Sequence, residues 1–220
     1  MAQKLGRVER PMADRFTEKR KLLLVPLVSE PPPEAEDGNA IVARYWVQVR
    51  EHVATLENGL GPIRHIYHEH VTRAGSEALE HVKSTGRPSV PLMEEKCGAG
   101  ATFEAFEQED TLFEVVDLQR LVSLPFASEK VAQRIQDWYA ESAHTRFEQM
   151  AQAINETLGE DEIGLLLIGE RHQLQFPTDV EVFYVSPPAL DEYHRWVQAY
   201  IAELQRQATE QQSGQEAAEE

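Results

Sequence analysis

The densest hydrophobic pattern in the chain runs through residues 163–204. There the run IGLLLIG, a polar stretch, the run VEVFYV and a Pro-opened amphipathic segment follow one another. Leu165–Ile168 reads as a buried strand, and Phe176-Pro177-Thr178-Asp179 as the turn into a second strand over residues 180–185. A helix follows, with Leu190, Tyr193, Val197, Tyr200 and Leu204 on one side. The turn between the two runs predicts a hairpin.

The other end of the chain carries a matching signal. Residues 21–28, KLLLVPLV, are apolar without alternation, as in a strand covered on both faces. Pro26 within that run predicts a kink or a peripheral position, because proline has no N–H for a ladder. After a Pro-rich acidic loop, Asn39 is placed to cap a helix running to about Asn58. Val42, Tyr45, Trp46, Val49, Val53 and Leu56 form its apolar stripe. A strand over residues 63–71 then completes a βαβ unit.

Between these ends the periodicity is helical. Segments at 76–83, 89–97 and 110–123 precede a long helix over residues 128–158. Its seam is traced by Val131, Ile135, Trp138, Ser142, Phe147, Met150, Ile154 and Leu158. At about 1.5 Å per residue such a helix exceeds 40 Å, so it must span the sheet or project toward a partner.

These elements predict an α/β (or α+β) fold with a central sheet of about four to five strands. It has a βαβ start, a helical insertion and a C-terminal ββα unit. Residues 1–20 read as a flexible basic arm and residues 21–205 as one domain, with a helical subdomain at about 72–158. Residues 206–220, polar and acidic, read as a disordered tail.

Charge narrows the choice of partner. The chain carries a formal net charge of −17. Residues 1–21 hold seven Lys/Arg against Glu9, Asp14 and Glu18, a net +4, which leaves −21 for the rest. A body so acidic repels nucleic acid and anionic membranes, so only residues 1–21 could engage an RNA. No apolar run reaches the roughly 20 residues of a membrane helix, and the N-terminus lacks a signal-peptide core. One cysteine, Cys97, excludes an internal disulfide and any site built from several thiolates. The expectation is a soluble cytoplasmic protein.

Candidate chemistry is sparse. On a strand, His68 and His70 would share a face about 7 Å apart, a spacing that suits a divalent metal given a third ligand elsewhere. The plainer alternative is a polar strand end. Glu170, Arg171 and His172 follow directly on LLLIG, where ligand sites form in open α/β sheets. Gly98-Ala99-Gly100-Ala101 lacks a phosphate-loop frame and reads as a helix stop. Asp117 and Arg120 are spaced as a structural ion pair.

No Gly-x-Ser-x-Gly or HExxH frame occurs. The leading expectation is therefore a binding or regulatory protein acting through protein contacts or self-association. A metal-dependent hydrolase built on His68 and His70, and an RNA- or translation-associated factor held by residues 1–21, are the rivals.

Overall fold

The computed structural model describes residues 19–219, with side chains described for residues 19–210. Five strands form one parallel sheet in the order β3-β2-β4-β1-β5: β1 (Arg20–Leu27), β2 (Ile63–His68), β3 (Thr102–Phe103), β4 (Ile163–Gly169) and β5 (Val180–Tyr184). Among the described residues six helices accompany it: α1 (Glu36–Leu60), α2 (Gly75–Ser84), α3 (Val90–Gly98), α4 (Glu109–Val122), α5 (Glu129–Thr157) and α6 (Pro188–Glu219). This is an α/β protein, as the alternation of signals predicts.

The apolar runs are explained by two cores. Leu23 and Val25 of β1, with Leu165 and Leu167 of β4, face α1, α2, α3 and α6. Leu22 and Leu24, with Leu166 and Ile168, face the opposite way onto Met150, Ile154 and Leu158 at the end of α5. Successive strand residues point to opposite faces, so a strand covered on both sides needs apolar residues at every position. Each core leucine buried this way contributes about 1.5–3 kcal/mol of transfer free energy.

Pro26 sits in the middle of the sheet order, yet its missing N–H leaves no gap. In a parallel strand, a residue's N–H and C=O point to the same neighbour. Leu24 accepts from Val185 N–H at 2.8 Å, so residues 22, 24 and 26 of β1 address β5. Pairing with β5 ends at Leu24, beyond which Pro26 has no strand to donate to. Its carbonyl accepts from the buried Tyr45 hydroxyl at 2.6 Å. The proline is tolerated by local geometry, although β1 lies between two strands.

The connections correct the expected hairpin. β4 and β5 are parallel and lie on either side of β1, so residues 170–179 form a crossover, with Leu174 and Phe176 packed into the second core. The turn residues are present, but β1 takes the hydrogen-bonding edge that a hairpin would have used.

Other boundaries move for local reasons. α1 starts at Glu36, and Asn39 lies inside it, its amide donating to the carbonyls of Pro32 and Ala35 at 3.0 and 2.9 Å. The first turn instead carries Glu36 and Asp37, which suit the positive helix end. β2 stops at His68, because His70 turns into the left-handed region with φ 69°.

Within the span expected as a helical subdomain, 72–158, α2 and α3 cover the first core and the end of α5 the second, while β3 extends the sheet. α6 continues to Glu219, beyond the Gln205 at which the sequence reading stops it. Helix α5, at 29 residues, is exceeded by α6 at 32.

Two of the cations counted toward the basic N-terminus are built into the sheet. Arg20 and Lys21 belong to β1 and are 8% and 7% exposed. The Arg20 guanidinium binds Asp179 at 2.7 and 2.9 Å and the carbonyls of Asn155 and Leu158 at 3.2 Å, tying β1 to the end of α5. Residues 1–18, outside the described residues, carry four Arg/Lys and three acids.

Candidate functional site

All five strands end on one edge, and the chain leaves that edge in two directions. After β1 and β2 it turns to the helices of the first core; after β4 it turns to the second core. Such a switch leaves a crevice at the carboxyl ends of the strands, where ligands of open α/β sheets sit. Here a cleft of about 650 Å³ opens between the β1–α1 loop (Leu27, Val28, Ser29, Glu30), Glu69 and His70 after β2, Thr85 and Arg87 between α2 and α3, and Gly169 of β4. This volume lies within the range of small-molecule sites.

One wall of the cleft is held by a buried ionic lattice. Arg146, reaching up from α5, binds Glu107 through two contacts of 2.6 Å and Glu69 at 3.1 Å. The Glu107 side chain is fully buried and also accepts the backbone N–H of His70 at 2.6 Å. Glu69 accepts the N–H of Gly169 at 2.8 Å. Burial pushes the Glu69 carboxyl up, but His70, the Gly169 amide and Arg146 outweigh it and hold it below its usual value. Burial opposes the Arg146 charge too, and the two carboxylates more than offset that, raising it. The lattice fixes the ends of β2 and β4 and the start of α4 relative to α5.

Two polar side chains in the cleft are left largely uncommitted. The nearest carboxylate recorded for the Arg87 guanidinium is Glu30 at 3.8 Å, beyond hydrogen-bond length. The exposed His70 has its backbone fixed by Glu107, and among the described residues its ring has no recorded hydrogen bond. Its other side lines a second cavity of about 460 Å³ with Arg73, Glu77, His81 and Phe113.

The residues singled out from sequence reach this edge in a different arrangement from the one expected. His68 is 3% exposed and faces the first core; its Nδ1 donates to the Glu69 carbonyl at 2.6 Å, which leaves Nε2 buried and unpaired. Burial, together with the Arg87 and His70 charges, pushes its pKa down to about 4, so it is a neutral imidazole. His70 does not share a strand face with it, because β2 has already ended. Among the described residues no group of three or more His, Cys, Asp or Glu is placed to hold a metal ion.

Glu170, Arg171 and His172 stand at the end of β4 but do not converge. Glu170 binds His194 of α6 at 2.7 Å. His172 turns the other way, against Phe176, with its Nδ1 accepting from Leu174 N–H at 3.3 Å, and burial lowers its pKa. Arg171 is exposed. His65 is engaged elsewhere, its ring nitrogens lying 2.8 and 3.0 Å from Glu104 and Glu162.

Sequence reasoning missed Arg87, Ser29 and Arg146. None stands in a motif, and only the return of α2, α5 and the β1–α1 loop to one edge brings them together. Asp117 and Arg120 do pair, at 3.0 Å, but in solvent. Cys97 is half-buried, and burial raises its thiol pKa, consistent with a packing role.

No protein-family profile, curated protein or solved structure matches this chain. Among the described residues, no helix is long and apolar enough to cross a membrane.

Proposed function

We propose that this protein is a binding protein that takes a small, oxyanion-bearing molecule in the cleft at the carboxyl ends of β1, β2 and β4. The observation that carries the reading is the pairing of a switch-point cleft with a guanidinium, Arg87, that has no carboxylate within hydrogen-bond reach. A guanidinium is the group best suited to a carboxylate or phosphate, which it binds through two parallel N–H donors. Leu27 and Val28 offer an apolar wall to the remainder of the ligand, and His70 a second polar contact.

The net charge of −17 disfavours anions at long range. At physiological salt, however, exposed charges farther than about 8 Å are screened, so the groups lining the cleft dominate. Calorimetric titration with inorganic phosphate, succinate and adenosine monophosphate tests the reading. Saturable binding of at least one probe is expected, with a loss of at least about tenfold in Arg87→Ala, the scale of one charged hydrogen bond. Absence of binding by all three probes, or equal binding by the variant, overturns it.

A second reading, contact with another protein, is favoured by the α4–α5 hairpin. Its outer part carries Leu124 and Trp138 at 53% and 52% exposure.

A further inference from the structure

The seam expected along α5 is buried only in its second half. Met150, Ile154 and Leu158 enter the core, while Val131 and Trp138 are 45% and 52% exposed. From Leu121 to Glu141, across the end of α4, the turn and the start of α5, no residue is buried. The two helices pack on each other there, joined by Glu114, which accepts from Trp138 Nε1 at 2.6 Å and from the Ser142 hydroxyl at 2.7 Å. The hairpin thus stands clear of the sheet as an arm. Apolar side chains remain in solvent along it: Leu121, Val122, Leu124, Val131 and Trp138. Isolated exposed hydrophobics are ordinary, but five on one projecting hairpin mark a contact surface.

Charge along the arm identifies the occupant. Its tip carries Arg120, Lys130 and Arg134 against Glu129, a net +2. Its base carries Glu109, Asp110, Glu114, Asp117, Asp137 and Glu141, a net −6. A second arm laid antiparallel sets each basic tip against an acidic base and brings the apolar positions together. A parallel arrangement sets like against like at both ends.

We propose that the α4–α5 arms of two copies of this chain pack antiparallel about a twofold axis, making a four-helix bundle that joins the subunits. Two-fold contacts are self-complementary, so one surface with opposite charges at its two ends suffices. Helix pairs of this kind bury their apolar positions by side-chain interdigitation.

Sedimentation equilibrium of the full chain over a wide concentration range is the test. A concentration-dependent dimer is expected. Reversing the tip (Arg120→Glu, Lys130→Glu, Arg134→Glu) should weaken it at least tenfold, and so should reversing the base (Asp117→Lys, Asp137→Lys, Glu141→Lys). Mixing the two reversed chains should restore a heterodimer, which a variant that merely unfolds cannot do. Ser123→Cys at the tip should form no tip-to-tip disulfide on oxidation.

A monomer at every concentration overturns the proposal and leaves the face to a different partner. A dimer indifferent to the tip reversal, or efficient cross-linking of Ser123→Cys to itself, overturns it as well. Each of these results is independent of ligand binding at Arg87.

Discussion

Replacing Arg146 by methionine removes the cation from between Glu69 and Glu107 while keeping most of the side-chain length. Arg146 is 11% exposed and Glu107 0%, and their two contacts are both 2.6 Å, so water cannot replace the guanidinium without rearrangement. Breaking a buried pair by removing one partner costs about 3–5 kcal/mol, because the other charge is left uncompensated. The His70 amide alone would remain on Glu107, and the Gly169 amide on Glu69.

For a chain of this size each kcal/mol lowers the melting temperature by about 2–4 °C, so a fall of about 6–20 °C is expected. Urea denaturation of Arg146→Met at pH 7 measures the free energy directly. The deficit should persist between about 0.1 and 1 M salt, since buried pairs are little screened. The double variant Arg146→Met/Glu107→Met should cost less than the two single changes together, by at least about 1 kcal/mol, as expected of residues in contact. A loss below about 1 kcal/mol in the single variant, or one that vanishes in salt, would place the pair among ordinary surface contacts and refute the lattice argument.

Two further outcomes follow from buried groups elsewhere. His68 has its folded pKa depressed to about 4, against about 6.5 unfolded. The stability from its neutral form is therefore complete above about pH 6.5 and lost as pH falls toward 4, on the order of 3 kcal/mol in all. Urea titrations of wild type and His68→Leu at pH 7 and 4 should show the variant gaining on the wild type by that order in acid. A pH-independent difference contradicts the assignment. Gly38 of α1 abuts Trp196 of α6 so closely that an added Cβ would lie 2.6 and 2.7 Å from ring atoms Cη2 and Cε2. The ring is stacked on Tyr200 at 5.0 Å. Gly38→Ala gains about 1 kcal/mol of helix propensity but incurs an overpacking cost of about 1–3 kcal/mol. A net loss of stability is expected in thermal melts, and a rise would show that the ring withdraws freely.

How much of the site could be read in advance differs from residue to residue. His68, His70 and Glu170–His172 lie at the carboxyl edge of the sheet, since LLLIG and IRHIYH announce strands and charged residues after them announce strand ends. Their roles were not legible. Whether His70 belongs to β2 depends on one left-handed residue, fixed by the Glu107 carboxylate 37 positions away. Trp138 reads as core by spacing, yet spacing cannot say whether a facing element is present. Among the described residues, what stands opposite Trp138 is α4, whose Glu114 accepts from its Nε1.

The sequence by itself determined the elements: uninterrupted apolar runs demand strands buried on both faces, and the three- and four-residue spacing of Val42–Val53 demands a helix with one dry side. Those are local consequences of backbone geometry and need no partner to be stated. Strand order, the parallel run of β5, the cleft around Arg87 and the exposed arm were decided only in the tertiary structure. Each depends on which distant segment fills a given edge or face, and that competition is settled by packing across the whole molecule.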